Sequence, residues 1–252
     1  MTDLSGRIAL VTGGGSGLGA AIADALHGAG AEVVLVGRDT TRLDAVVARL
    51  GERARRVACD VSDPAAVEGL RDELAPTEVS ILVNNAGIAG PVAALTEVTA
   101  ADWDEVFAVN VRGTFLMCRA FLPGMVARGA GDVINVASVS GKRPLAHRTP
   151  YTASKMAVLG LTTSLAFEVG PAGVTVNSLS PGPVAGDRMA RNFRLEAERS
   201  GTSAESAEAA FVSRSALGRM VTASEVGAAV VAMLNMPGMC GADVDLSAGM
   251  VA

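Results

Sequence analysis

The sequence is poor in aromatic residues: among 252 residues there are one tryptophan, one tyrosine and six phenylalanines. Half of the residues are nevertheless hydrophobic, so the core must be built from Ala, Val, Leu, Ile and Met. Much Val together with much Ala is typical of strands that alternate with close-packed helices. Because the length suits one large α/β unit, we expect a single domain over residues 1–252.

Cysteine and histidine are also scarce. The three cysteines, Cys59, Cys118 and Cys240, lie far apart and show no CxxC or metal-ligand spacing, and only two histidines are present. Metal sites need closely spaced ligands of these types, so no metal site is predicted. We expect all three cysteines to be buried thiols in a reducing compartment.

Positive charge is in deficit, and the formal net charge is −5. A nucleic-acid surface needs clustered Lys and Arg, so no nucleic-acid partner is expected. No apolar run reaches the roughly 20 residues that cross a bilayer, and the first residues lack the layout of a signal peptide. The composition therefore predicts a cytoplasmic protein that has no membrane partner and binds a small-molecule substrate.

A glycine-rich turn follows the first apolar run. Residues 7–12 (RIALVT) lead into the glycines of residues 13–19, and an Ala-rich stretch typical of a helix comes next. Glycines permit a tight turn and let the backbone approach a pyrophosphate, whose charge then lies on the N–H groups of the following helix. The order of strand, turn and helix predicts a dinucleotide site, with a merely tight turn as the alternative.

The second strand, residues 32–36, bears on the choice of dinucleotide. An acidic residue at the end of this strand would hold the ribose 2′-hydroxyl of NAD. Gly37 occupies that place instead, and the guanidinium of Arg38, which follows, can pair with a 2′-phosphate. NADP(H) is therefore the favoured cofactor, while NAD(H) stays open because Asp39 is one residue further on.

Apolar runs that resemble strands continue along the chain. They cover residues 56–59, 79–83, 132–137, 174–179 and 243–246. Alternating β and α segments imply right-handed crossovers, so we predict an α/β fold: a single Rossmann-type doubly wound domain whose seven-stranded parallel sheet has helices on both faces. Ligands of such sheets bind at the carboxyl ends of the strands, where Ser138 follows the fifth strand.

Two helical regions have an unusual composition. Residues 99–128 are predicted to form one long helix with Asn110 midway, where an amide competes for backbone hydrogen bonds; Asn110 is either functional or simply satisfied. Residues 186–214 are rich in Arg, Glu, Ser and Ala. We expect this segment to be a mobile helical lid over the substrate.

Tyr151 is the only tyrosine and precedes Lys155 by four residues. On a helix the two side chains lie about a turn apart on one face. A nearby cation favours the phenolate, so the pair is suited to exchanging a proton with an alcohol oxygen. Taken alone, the spacing favours the plainer interpretation, a core tyrosine at a helix start beside a solvated lysine.

The motifs together occur in the order and spacing of one family: Thr12-Gly13-x-x-x-Gly17-x-Gly19, Asn84-Asn85-Ala86-Gly87, Ser138, Tyr151-x-x-x-Lys155 and Pro181-Gly182. The chain resembles the short-chain dehydrogenase/reductases over essentially its whole length. The resemblance implies an oxidoreductase that transfers a hydride between a nicotinamide cofactor and a carbonyl or secondary alcohol. It also implies a homotetramer or a homodimer.

The resemblance assigns a role to each matched residue. Tyr151 would be the catalytic acid/base, and Lys155 would tune it and bind the nicotinamide ribose. Ser138 would polarise the substrate oxygen, and Asn110 would hold a relay water. The implied cofactor contacts are Gly13, Ser16, Gly17, Leu18, Gly19, Arg38, Asp60, Val61, Asn85, Gly87, Tyr151, Lys155 and Val184. The chain departs from the family at Gly186, where threonine is frequent.

The substrate is the least determined part. A cationic rim for an acidic group on the substrate could come from Arg143, His147, Arg148, Arg188, Arg191 and Arg194. From these residues alone, the favoured interpretation is solvated surface charge paired with Glu196 and Glu198. Two other functions stay open: a 3-oxoacyl-thioester reductase, and a non-catalytic cofactor-binding sensor, although sensors commonly lack the Tyr or Lys that this chain keeps.

Overall fold

The predicted parallel sheet is confirmed in the computed structural model, which describes residues 3–143 and 145–250. Within these residues seven strands form one parallel sheet in the order β3-β2-β1-β4-β5-β6-β7. The strands are β1 (Ile8–Thr12), β2 (Glu32–Gly37), β3 (Ala54–Ala58), β4 (Val79–Asn84), β5 (Gly131–Val136), β6 (Val174–Pro181) and β7 (Asp243–Leu246).

Helices connect the strands. They are α1 (Gly17–Gly28), α2 (Thr40–Leu50), α3 (Pro64–Glu73), α4 (Ala100–Phe107), α5 (Gly113–Arg128), α6 (Thr149–Val169), α7 (Asp187–Ser200), α8 (Ala204–Val212) and α9 (Ala223–Met233). Local sequence begins several of them, since Asp63 caps α3 by accepting from the Ala65 N–H at 2.9 Å and Thr222 caps α9. In the described part of the chain no helix combines the length and apolarity that a membrane crossing requires.

The sheet buries apolar side chains on both faces. Successive strand residues point to opposite sides, so Val11 faces α1 and α9 whereas its neighbour Leu10 faces α3 and α5. Both residues are fully buried. Burying one such side chain is worth about 1.5–3 kcal/mol, so the two layers of helices hold the strand ends rigidly.

The predicted helix over residues 99–128 is interrupted by a π-helical turn, Ala108–Arg112, between α4 and α5. There the Gly113 N–H bonds to the carbonyl of Ala108, five residues earlier. Such a turn inserts an extra residue and rotates the chain that follows it. As a result Asn110 lies almost fully inside the molecule, only 1% exposed.

The strand order switches between β1 and β4, which are neighbours in the sheet. To one side lie β2 and β3, and to the other lie β5 to β7. A crevice opens at the carboxyl edge of a parallel sheet where the order switches. The motif residues that follow β1, β4, β5 and β6 are thereby brought to one edge.

Candidate active site

A cavity of about 810 Å³ lies at this edge. The predicted cofactor and catalytic residues that line it are Gly13, Ser16, Gly17, Leu18, Gly19, Arg38, Asp60, Val61, Asn85, Gly87, Ser138, Tyr151, Lys155 and Val184. The structure therefore places the glycine turn and the Tyr-Lys pair on the wall of a single space. Asn110, the remaining predicted residue, lies behind that wall.

The glycine turn after β1 is latched to the end of β4. The Thr12 hydroxyl oxygen accepts hydrogen bonds from the N–H groups of Asn85 and Ala86, both at 2.9 Å, and the Asn85 amide donates to the Thr12 carbonyl at 2.8 Å. A Cβ on Gly19 would overlap the Gly13 carbonyl oxygen and lie 2.6 Å from the Asn85 amide nitrogen. Hence only glycine at position 19 allows α1 to start so close to the turn.

The first turn of α1 faces the cavity. Ser16 is the N-cap in extended conformation, and within the described residues its side chain makes no capping hydrogen bond and the first turn contains no acidic residue. The first N–H groups of a helix lack intrahelical partners and lie at its positive end, where they attract an anion. This end of the cavity thus fits the pyrophosphate of a dinucleotide.

Arginines lie at the end of the cavity near β2. The Arg38 guanidinium is 3.7 Å from the Asp60 carboxylate, which also accepts from the N–H and hydroxyl of Ser62. Burial alone would raise the pKa of Asp60, but the Ser62 hydrogen bonds and the cation of Arg38 outweigh it, so the pKa is lowered. A carboxylate is therefore fixed beside the cation that the sequence predicts for a 2′-phosphate.

Sequence reasoning missed Arg42, which also lines this end of the cavity. It lies one turn into α2 and pairs with Asp39 at 3.1 Å. Asp39 itself caps α2 by accepting from the Arg42 N–H. The sequence shows only that Arg42 comes three residues after Asp39, the N-cap of α2, and this does not tell which side of the helix faces the cavity.

Tyr151 and Lys155 lie on the first turns of α6, which Pro150 helps to begin. The Lys155 ammonium donates to the Val136 carbonyl at 2.7 Å and lies 5.8 Å from the centre of the tyrosine ring. Only 5% of Lys155 is exposed. A buried ammonium interacts strongly with neighbouring groups because little water screens it.

Ser138 follows β5 and reaches the same space. Its hydroxyl oxygen accepts from the Ser140 N–H at 3.2 Å, capping the short helical turn Val139–Gly141. Acceptance of this bond leaves the hydroxyl proton available to another partner. Ser138, Tyr151 and Lys155 thus converge from β5 and α6.

Asn110 ties three elements together behind the cavity. Its amide oxygen accepts from the Ile88 N–H at 2.8 Å, and its amide nitrogen donates to the Ile88 carbonyl at 2.9 Å and to the Ser154 hydroxyl at 3.0 Å. A Cβ on Gly87 would lie 3.1 Å from Asn110 and 3.5 Å from the Lys155 ammonium. Gly87 therefore lets the strand end pass close to both polar groups.

The 186–214 segment folds as α7 and α8, whose apolar residues Met189, Phe193 and Ala197 are buried. The rings of Phe193 and Phe211 meet edge to face at 5.4 Å. Among the described residues the cavity lining includes none of the proposed rim residues Arg143, His147, Arg148, Arg191 and Arg194. The side chain of Arg188 lies outside the described part.

The cysteine prediction is correct for two residues and wrong for the third. Cys59 lines the cavity, and burial is the main reason that its pKa rises to about 11; burial likewise raises the pKa of Cys118 to about 12. Cys240 is exposed. It lies in the turn before β7, where the chain runs over the surface whatever the residue type.

Three comparisons place these features among known proteins. The galactitol 2-dehydrogenase (L-tagatose-forming) of Cereibacter sphaeroides is 46% identical over 187 residues, 72% of this chain and 73% of that protein. The D-threitol dehydrogenase of Mycolicibacterium smegmatis (strain ATCC 700084 / mc(2)155) is 42% identical over 183 residues, 71% and 70% of the two chains. The crystal structure of a single-residue variant of actinorhodin polyketide ketoreductase with NADPH superposes with a TM-score of 0.92 at 31% identity, covering 99% of both chains.

The family description short chain dehydrogenase matches residues 7–197. This range contains the glycine turn, Asn110, Ser138 and the Tyr151–Lys155 pair. The chain is an oxidoreductase that belongs to the short-chain dehydrogenase/reductase family.

Proposed function

We propose that this enzyme interconverts a polyol and the corresponding ketose with NADP(H) as cofactor. The observation that carries the proposal is that Ser138, Tyr151 and Lys155 line the same cavity as the glycine turn. The relatives named for threitol and galactitol support a secondary alcohol flanked by hydroxyl groups as substrate.

Tyr151 acts as the acid/base. In the reductive direction its phenol gives a proton to the carbonyl oxygen, and in the oxidative direction the phenolate removes the alcohol proton. A bound nicotinamide supplies or accepts the hydride. The Ser138 hydroxyl donates a hydrogen bond to the same substrate oxygen, which positions the carbonyl and stabilises charge on it.

Lys155 holds the ribose side of the cofactor and stabilises the phenolate of Tyr151. Its bond to the Val136 carbonyl fixes the ammonium close to the tyrosine ring. Asn110 is the next group on a proton path to solvent. Its side chain is held by hydrogen bonds to Ile88 and Ser154. Its backbone carbonyl oxygen accepts from the Thr114 hydroxyl at 2.9 Å and has a second lone pair for a relay water.

The cofactor would be held along the whole cavity. The glycine turn and first turn of α1 take the pyrophosphate, with Asp60 and Val61 beside the adenine. At the nicotinamide end, the Pro183 carbonyl and Ala185 N–H bond to Val221. Because backbone groups alternate along an extended segment, the N–H and carbonyl of Val184 point the other way and are suited to the carboxamide.

Polyketide-type ketone reduction is the second candidate, because the actinorhodin ketoreductase has the same fold with a TM-score of 0.92. It corresponds to the 3-oxoacyl-thioester alternative. An acidic substrate is not carried forward, since the arginines expected to recognise it lie outside the cavity lining within the described residues. The 186–214 segment is proposed as the lid over either substrate.

A substrate panel with Tyr151→Phe as its partner variant tests the function. We expect the purified enzyme, with NADPH, to reduce ketoses faster than it reduces an acetoacetyl thioester. The Tyr151→Phe substitution should lower kcat about 100-fold or more. Binding of NADPH, followed by its fluorescence, should be unchanged in the variant. Activity confined to the thioester would favour the second candidate, and cofactor binding without turnover on any substrate would favour the sensor.

Assembly and location complete the proposal: a single-domain cytoplasmic enzyme that forms a homotetramer or homodimer. Apolar side chains stand exposed on α5 and α6, with Phe167 86%, Met156 48% and Phe115 44% exposed. Such a patch is typical of an interface. Light scattering that gave a monomer mass at micromolar concentration would contradict the assembly, and two separate unfolding transitions would contradict the single domain.

A further inference from the structure

Backbone hydrogen bonds hold residues 138–143, which follow β5, in a compact turn. The Gly141 N–H donates to the Ser138 carbonyl at 3.1 Å, and the N–H groups of Lys142 and Arg143 donate to the Val139 carbonyl at 3.0 and 2.8 Å. With the bond from Ser140 to the serine hydroxyl, these contacts leave little freedom between Ser138 and Lys142. A displacement of Lys142 is therefore transmitted to Ser138.

Ion pairs of Lys142 anchor this turn to β7. Its ammonium lies 2.6 Å from the Asp243 carboxylate and 2.8 Å from that of Asp245. In the sheet β6 separates β5, which Ser138 follows, from β7, which carries both aspartates. The ion pairs therefore pass over β6 near Ser178 and Ser180, and they join the chain that follows β5 to a strand that β5 does not touch.

The carboxylate end of this anchor is itself fixed. Asp243 accepts hydrogen bonds from the hydroxyl groups of Ser178, at 2.6 Å, and Ser180, at 2.9 Å. The side chains of Lys142 and Asp243 are 32% and 17% exposed. Partly buried charges are screened less than surface charges, so this cluster is stronger than an isolated surface pair.

We propose that Lys142 is a positioning residue for the reaction: through its ion pairs with Asp243 and Asp245 it holds Ser138 at the distance from Tyr151 that the substrate oxygen requires. The inference rests on the proposed function, in which Ser138 contacts that oxygen. A displacement of a catalytic group by about 1 Å can lower the rate up to about 100-fold, so Lys142 can have a large effect on the rate without touching the substrate.

Residues 243–250, which include both aspartates, also contact the chain just beyond the 186–214 segment. The Leu217 N–H donates to the Ala248 carbonyl at 3.1 Å, and the Gly182 N–H donates to the Leu246 carbonyl at 2.8 Å. Arg143 donates to the carbonyl of Met250. Residues 243–250 thus contact the Ser138 turn, the Pro-Gly motif and the chain that follows α8.

A double-mutant cycle tests the proposal, with Lys142→Met, Ser138→Ala and their combination, and Lys142→Arg as the conservative control. We expect Lys142→Met to lower kcat about tenfold with NADPH affinity unchanged, and Lys142→Arg to restore most of the rate. In the Ser138→Ala background the Lys142→Met change should cost less than about twofold, because the two residues act as one unit. An equal tenfold loss in both backgrounds would overturn the proposal.

Amide hydrogen exchange separates this inference from the proposed function, because it needs no turnover. We expect peptides that cover residues 137–143 to exchange faster in Lys142→Met than in the parent protein or Lys142→Arg. Unchanged exchange in Lys142→Met would overturn the positioning role even if the enzyme proved active on ketoses. Faster exchange in a protein without any turnover would support the anchor while refuting the proposed reaction.

Discussion

The pyrophosphate cradle and the 186–214 segment border one site but are held in different ways. The cradle, residues 12–19 with 84–87, is fixed by backbone hydrogen bonds from Asn85 and Ala86 and by a close approach that only Gly19 tolerates. Within the 186–214 segment, α7 and α8 pack through apolar contacts such as that between Phe193 and Phe211, and Met189 and Ala197 of α7 are also buried. Close backbone approach demands one residue type, whereas apolar packing accepts many.

Under the proposed function, this difference separates the region that binds the cofactor from the region that selects the substrate. In the proposed function the cradle, which requires specific residues, binds a group that does not change, the pyrophosphate. A segment held by interchangeable apolar residues can alter its outer face without loss of its fold. Three substitutions would break or sharpen this comparison.

The largest effect is expected for Gly19→Ala. Its new Cβ would overlap the Gly13 carbonyl oxygen, so the turn must move. We expect the free energy of NADPH binding to be less favourable by about 3 kcal/mol, which raises the Kd for NADPH about 100-fold. Gly28→Ala is the matched control at the other end of α1, because a Cβ there meets nothing within 4 Å. Equal NADPH affinity in both variants would show that the cradle is not rigid.

An intermediate effect is expected for Phe193→Ala in α7. Loss of the ring contact should let the segment open locally, raising the KM for the sugar substrate about tenfold. The melting temperature should fall much less than in Phe121→Ala, a control that removes a similarly buried ring from α5. If the melting temperature falls by the same amount in both variants, the segment unfolds with the core and is not a separate lid.

The smallest effect is expected for Arg38→Ala, since 68% of this side chain is exposed. Removing the cation should weaken NADPH binding about fivefold and leave NADH binding unchanged, because only NADPH carries the 2′-phosphate and an exposed ion pair is worth at most about 1 kcal/mol. Arg49→Ala, at the other end of α2, is the control for the loss of one positive charge. Unchanged NADPH affinity would assign the phosphate contact to Arg42 and remove the argument for NADP(H) from Arg38.

The sheet could be predicted from sequence because each strand is a short apolar run that ends in a turn. β7 has the predicted ends, and the other strands differ by one or two residues at an end. The long helix over residues 99–128 could not be predicted correctly. The π-helical turn at Asn110 depends on its hydrogen bonds to Ile88 and Ser154, which are distant in sequence.

The residues that the motifs predict for the site line one cavity because motif spacing fixes local backbone shape. Arg42 was missed because its importance depends on which side of α2 faces the cavity. Cys240 was placed in the core on residue type alone, and the turn that exposes it depends on how β7 joins the sheet. Lys142 gave no signal, since its partners Asp243 and Asp245 are about a hundred residues away.

Tyr151, on the wall of the cavity beside Lys155, is the only tyrosine in the chain. A uniform tyrosine label therefore marks one ring, and that ring belongs to the site. Carbon-13 tyrosine incorporated during expression would give a single phenol resonance with no assignment problem. Protonation of the proposed acid/base, cofactor entry and movement of Lys142 variants could all be followed on that one spectroscopic signal in the intact enzyme.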